Sequence, residues 1–365
     1  MSKPPVEVPQ GAIRFNTDSQ KMEFFAQDQW WEMATDVPNL NANGGPSDTP
    51  SGNSADYSLG ARGIAIGGNT QPAGVTDKID YINIASAGNA IDFGNMVINT
   101  FAGAGLSSRT RAVVVAGRQT PGSVSDIQYL TMASTGDTID WGSNALNSLG
   151  YGIGAVSNQT RGITMGGYNT SNTRLDDIQY LTIASLGSIN DFGNLTANPT
   201  DTERAYCASV NSPTRGLVAG GTRDPNVQIN NIEYITIAST GNAQDFGDLS
   251  VAGYRVGGCM SSTRGLIAFG ETPAGDGKKN IDYVTIATLG NAAIFGDLTV
   301  GGQHPVGTSD SVRGVWLGRQ NSSPYSDNEV IDYNTIATQG DAVDFGNLVA
   351  ATSMPASAST GHGGL

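Results

Sequence analysis

The sequence predicts an all-β chain whose bulk is a six-bladed β-propeller built from four-stranded blades. Three registers carry that expectation. An Arg followed by a small residue and an apolar run recurs at Arg62, Arg111, Arg161, Arg215, Arg264 and Arg313. A tyrosine follows in each copy, at Tyr81, Tyr129, Tyr180, Tyr234, Tyr283 and Tyr333. An aromatic-Gly pair then closes it: Phe93-Gly94, Trp141-Gly142, Phe192-Gly193, Phe246-Gly247, Phe295-Gly296 and Phe345-Gly346. All three advance by about 50 residues with shared small irregularities, as a structural repeat does. Composition agrees. The 49 glycines and only 14% charged residues suit short strands and tight turns, and no Gly-X-Y period is present.

The fifth copy shows the blade most clearly. Residues 253–261 (GYRVGGCMS) read as strand a, and a tight turn at Ser262-Thr263 leads into strand b, 264–270 (RGLIAFG). After a variable loop, 280–288 (NIDYVTIAT) is strand c, rich in β-branched and aromatic residues. The turn Leu289-Gly290-Asn291 precedes a short strand d, 292–298. The a–b and c–d turns are nearly uniform, whereas the b–c and d–a connections vary, as at 69–77, 168–176 and 319–329. In a four-stranded meander these two classes lie on opposite faces. One face is therefore constant and the other carries the variation, where binding usually resides.

Closure is legible too. The first copy opens at Arg62 with only a poor strand a before it, while residues 351–359 form a surplus strand a after the last copy. The C-terminal strand should complete the blade that Arg62 begins and so remove the exposed edges of an open array.

Residues 1–36 follow a different grammar and form a small N-terminal β module. Three short alternating segments lie within 8–36 and carry Phe15, Phe24, Phe25, Trp30 and Trp31. So short a meander cannot bury that many aromatics alone, so it should oligomerise or dock onto another protein. Residues 37–58 are Pro, Gly, Asn and Ser-rich, the composition of a flexible linker, and 59–365 form the propeller.

Bulk charge narrows the partners. A net charge of −14 argues against nucleic acid, whose phosphates need a basic footprint. No stretch of 18 apolar residues occurs, and the opening MSKPP lacks the apolar core of a secretory signal, so no membrane insertion is expected. Cys207 and Cys259 occupy different places in their repeats, which disfavours a bridge.

Three resemblances bear on function. The apolar-Gly-Gly ending of strand b, as in Ile66-Gly67-Gly68, Met165-Gly166-Gly167 and Ala219-Gly220-Gly221, with the later Tyr and aromatic, resembles the kelch repeat. The longer string TRG-apolar-GG followed by IDYxTIASTGNAxDFGDL resembles the kelch-like repeats of tailed-phage virion proteins, particularly those of marine and cyanobacterial phages. The opening GAIRFNTDSQKMEFFAQDQWWEM resembles a short anchoring module near the N-terminus of many phage fibre and structural proteins. Copies two and six depart by losing one glycine of the pair (Ala116-Gly117-Arg118, Leu317-Gly318-Arg319), and copy five has Ile294 where the others have Asp.

These resemblances imply a virion structural protein made in the host cytoplasm: an accessory tail fibre or tail-associated protein whose kelch-like propeller contacts the host surface. Other virion proteins would bind through residues 1–36, with a homo-oligomer expected and a host surface glycan or protein as the target. A purely architectural head-decoration, neck or tail-nozzle component is the alternative, and a glycan hydrolase the least favoured.

The recurring Arg admits two readings. It could bind an acidic glycan, or it could pair with the Asp that recurs on strand d at Asp92, Asp140, Asp191, Asp245 and Asp344. The structural pairing is favoured, because a feature present in every blade generally serves the fold. His304 and His362 lack metal-ligand spacing and are expected at the surface or in packing, and no cofactor is expected. There is no nucleophile triad order and no sialidase-type Asp-box, so an enzyme is not expected; Asp201, Glu203 and Glu271 are the loop carboxylates that could meet.

Overall fold

The computed structural model describes residues 12–16, 21–26, 29–32, 61–144, 149–196, 202–322 and 324–365. The chain divides into two compact units, Met1–Leu59 and Gly60–Leu365. The expected linker at 37–58 and the loop carboxylate Asp201 lie outside the described residues.

The first unit contains an antiparallel meander of Ile13–Asn16, Lys21–Ala26 and Gln29–Glu32. Its register sets Phe25 opposite Trp30 and Phe24 opposite Trp31. Phe25 and Trp30 meet edge to face at 5.3 Å, and the Arg14 guanidinium lies 4.1 Å over Trp30 while pairing with Glu23 at 2.7 Å. The side chains of Phe15, Phe24 and Trp31 fall outside the description.

The second unit is the six-bladed propeller that the repeat predicts, with four-stranded antiparallel blades and no helix among the described residues. Blade 5 serves as the pattern: strand a Gly257–Met260, b Arg264–Ala268, c Asn280–Thr285 and d Ala293–Asp297. Strand a is shorter than the sequence suggests. Gly253 still pairs with blade 4, opposite Ile229, and a left-handed residue at Arg255 (φ 56°) turns the chain before Gly257.

Strand a of blade 1 is the C-terminal Ala356–Ser359, which pairs with Arg62–Ile66 from Ala356 opposite Ile66 to Ser359 opposite Gly63. The following turn is shared between the two ends of the chain. In other blades a side chain from the a–b turn accepts the Arg backbone N–H, as Ser261 does for Arg264 at 3.2 Å. In blade 1 Thr360 supplies that oxygen, accepting from the Arg62 amide at 2.9 Å.

The cores lie between blades. Ile64, Ile66, Ile79 and Phe93 of blade 1 pack on Ala112, Val114, Leu130 and Met132 of blade 2, and similar clusters fill the other junctions. Each buried Ile or Leu contributes about 1.5–3 kcal/mol, so the hydrophobic stabilisation is spread around the ring. Strand d adds a backbone contact to the next blade. The Gly136 amide donates to the Phe93 carbonyl at 2.8 Å, Gly241 to Phe192 at 2.7 Å, and Gly88 to Phe345 at 2.8 Å. A Cβ on Gly94 would stand 2.4 Å from the Gly136 carbonyl oxygen, which accounts for the glycine after the aromatic. Blade 2 solves the junction differently: the Trp141 indole N–H reaches the Gly187 carbonyl at 2.9 Å.

The innermost strands approach so closely that they admit mainly small residues. Hydroxyls link them around the axis: Ser107 Oγ donates to the Ser359 carbonyl (2.9 Å), Ser359 Oγ to Ser309 (2.6 Å), and Ser309 Oγ to Met260 (2.8 Å). Asn211 donates to the Ser157 carbonyl at 2.8 Å, and Ser157 Oγ accepts from the Ser107 amide at 3.0 Å.

Candidate functional site

The recurring Arg does not meet the recurring Asp. Asp92, Asp140, Asp191, Asp245 and Asp344 are all exposed on outermost strands, and no ion pair joins them to the arginines among the described residues. The guanidinium instead crosses to the next blade and donates to backbone carbonyls just past its strand c. Arg62 reaches Met132 O (2.6 Å), Arg111 Ile183 O (2.8 Å) and Arg161 Ile237 O (2.7 Å). Arg215, Arg264 and Arg313 reach Ile286, Ile336 and Ile84 at 3.0, 3.0 and 3.1 Å. Each also lies 4.4–4.8 Å over the tyrosine of its own blade. Blade 5 decides the point: Arg264 makes the same contacts although Ile294 replaces the Asp and is 69% exposed. The ring of arginines is a blade-to-blade fastening, with carbonyls rather than carboxylates as acceptors.

The repeated acidic or amide residue that does bridge blades precedes the tyrosine on strand c. Its side chain holds the d–a connection of the preceding blade. Asp80 accepts the Val349 amide (3.1 Å), Gln128 the Ile98 amide (3.0 Å), and Glu233 the Thr196 amide (2.6 Å). Asp282 takes Ser250 (2.8 Å) and Asp332 takes Thr299 (3.3 Å). In blades 4 and 6 the acid is also paired with a buried arginine, Glu233 with Arg204 at 2.9 Å and Asp332 with Arg319 at 2.6 Å. Arg319 is the residue that replaces the second glycine of copy six. Burial pushes the Asp80 and Asp282 carboxyls above their ordinary range, partly opposed by the amides they accept.

With these fastenings in place, each d–a connection arrives at strand a in the same conformation. One residue per blade is left-handed: Ala102 (φ 54°), Gly152 (67°), Tyr206 (54°), Arg255 (56°), His304 (55°) and Met354 (55°). A non-glycine residue in that region costs about 1 kcal/mol or more, and such strain clusters at functional sites. All six line one open depression of about 100 Å3 at the mouth of the axial channel. A second ring surrounds it, in which the preceding residue forms a backbone bridge to the b–c loop. These bridges are Ser353 with Asn69, Phe101 with Arg118, Tyr151 with Tyr168, Ala205 with Thr222, Tyr254 with Glu271, and Gln303 with Gln320. The backbone is constant, and the side chains of the inner ring differ in every blade.

Aromatic rings collect on one side of this face. Tyr206 meets Tyr151, Tyr168, Tyr254 and His304 at 5.1–6.0 Å, so a residue entering blade 4 touches elements of blades 3, 5 and 6. Gly152 leaves room beside it: a Cβ there would sit 3.3 Å from the Tyr206 ring and press against it. Tyr151 and Tyr168 stack at 4.8 Å, with Arg118 5.2 Å over the first and Arg174 5.0 Å over the second. Arg174 is held by Asp224 and Asn226, and Arg255 by Gln303 and, at 3.7 Å, Glu271. Burial pushes the Tyr206 phenol up and the His304 imidazole well down, and Arg255 adds to the latter.

The other end of the channel is closed by the C-terminus. His362 is buried; its Nδ1 accepts the Gly364 amide at 3.1 Å, which leaves the proton on Nε2, 3.3 Å from Ser107 O and Ser157 Oγ. A Cβ on Gly363 would lie 2.2 Å from Ser261 O, so only glycine lets the tail cross there. Burial lowers the His362 pKa to about 4.

Of the remaining candidates, Glu271 is taken up by Arg255 and by Gln228 at 3.1 Å, and no metal-binding cluster of His, Cys, Asp and Glu forms among the described residues. Cys207 and Cys259 are buried free thiols, and burial pushes the former to about 11. Comparison with known family models and with curated proteins finds no match to this chain.

Proposed function

We propose that the chain is a structural protein of tailed-phage particles, attached through residues 1–36 and presenting the loop face of its propeller to the host surface. The resemblance of the repeat and of the opening module supplies the virion setting. The observation that carries the binding role is the channel mouth. Positions locked by identical backbone geometry hold Ala, Gly, Tyr, Arg, His and Met in the six blades, while the blade fastenings repeat. Scaffolding needs keep residues alike between copies. Diversity on a rigid frame is what recognition uses.

The test uses the purified full-length chain. It should bind cells of the susceptible host and compete with particle adsorption, and immunogold should label the tail. Labelling confined to the head or neck, with no cell binding by the free protein, would replace this reading with the architectural one.

A further inference from the structure

The loop face holds one cleft whose chemistry specifies a ligand class. It is an open cleft of about 430 Å3 between the b–c loops of blades 2 and 3, lined by Phe101, Arg118, Gln119, Ser123, Thr170 and Asn172 among others. We infer that this cleft binds a saccharide bearing an oxyanion, carboxylate or sulfate, gripped by Arg118. The inference deepens the host-contact reading above and rests on it for its biological setting.

Three observations lead there. The first is a prepared cation. Arg118 is exposed, and its guanidinium donates to no acceptor among the described residues, unlike Arg174 and Arg255 on the same face. Its backbone is pinned by reciprocal bonds to Phe101, 2.8 and 3.0 Å. Its guanidinium is the end of a column, Arg118 on Tyr151 on Tyr168 on Arg174, and Arg174 is itself buried and fixed by Asp224 and Asn226. A stacked guanidinium keeps its N–H edges available while losing little freedom on binding.

The second is local charge. The chain carries a net charge of −14, yet the lining of this cleft contains no carboxylate among the described residues. A cation in an acid-free recess of an acidic surface is a specific attractor for one anionic group rather than for a polyanion. The third is the rest of the lining. The hydroxyls of Ser123 and Thr170 and the amides of Gln119 and Asn172 provide short, mixed donors and acceptors. Asn172 is oriented by accepting the Tyr151 hydroxyl at 2.9 Å. Such groups match sugar hydroxyls, and Phe101 offers an apolar patch for a ring's C–H face.

Titration calorimetry of the full-length chain with oligosaccharides of matched length tests this, using a polyuronate, a sulfated galactan and a neutral glucan. Binding of at least one acidic probe, with none of the glucan, is expected, and which acid binds identifies the group. Arg118→Gln should weaken that binding roughly 10- to 100-fold, the loss of a charge-assisted contact. Arg109→Gln, an exposed arginine on the opposite face, should leave it unchanged. Equal binding of the glucan, or equal effects of the two substitutions, overturns the assignment. Host-cell binding that survives Arg118→Gln also overturns it while leaving the host-contact reading intact. Acidic-glycan binding through Arg118 by a chain that ignores host cells would do the reverse.

Discussion

At the residue scale, the arginine ring separates what repeats from what pairs. Each arginine donates to carbonyls that strand c of the next blade leaves unpaired, with its own tyrosine beneath the guanidinium. Arg313→Ala should therefore cost about 2–3 kcal/mol, the sum of a charged hydrogen bond and a cation–π contact. Asp344→Ala, on an exposed strand d, should stay within about 0.5 kcal/mol. Urea denaturation of the two variants decides; equal losses would restore the Arg–Asp pairing. The buried pairs are the larger risk. Removing the Asp332 carboxylate leaves Arg319 charged and fully buried, so Asp332→Ala should cost about 3–5 kcal/mol.

At the element scale, the C-terminal segment has two separable tasks. Strand 356–359 completes blade 1, and its removal exposes the edge of Arg62–Ile66; deletion of residues 356–365 should yield aggregates in size-exclusion chromatography. Deletion of 361–365 alone keeps Thr360 and the strand, and should give a folded, unaggregated propeller with its channel open at both ends. His362 makes this plug pH-dependent. Its folded pKa of about 4 lies below its ordinary value of 6.5, so between those limits the unfolded chain takes up the proton first. Its contribution is complete above pH 6.5 and fades as pH falls toward 4, by about 3 kcal/mol at most. His304 acts in the same direction, so the His362 share is read as the difference between the chain and His362→Gln in urea midpoints at pH 7.5 and 5. Identical pH slopes would show that the tail is already detached.

At the scale of the whole molecule, the ring is closed by contacts that recur from junction to junction, the one between blade 6 and blade 1 included. Arg313 reaching Ile84 and Asp80 holding Val349 are the last members of series that begin elsewhere in the ring. A chain starting at Ser54 should therefore keep the melting temperature of the propeller. On the proposed division of labour, it should also remain monomeric and fail to join particles, because attachment resides in residues 1–36. Incorporation of that shortened chain would move the anchor onto the propeller.

The sequence by itself determined the blade count, the strand order and the closure, because those follow from a period, and a period survives in side-chain identity. Each fastening needs one kind of group at one place, so Arg62 and its counterparts, the strand-c acids or amides and the glycine after the aromatic all repeat. Their partners were another matter. The acceptors of the arginines are backbone carbonyls, which leave no trace in composition, and the repeated strand-d acid was the wrong partner. Tertiary structure alone decided the candidate site. Ala102, Gly152, Tyr206, Arg255, His304 and Met354 share no chemistry, only a left-handed backbone imposed by the turn into strand a. Residues about 50 apart in the chain meet at one mouth because the propeller folds every d–a connection toward its axis, and no local pattern encodes that convergence.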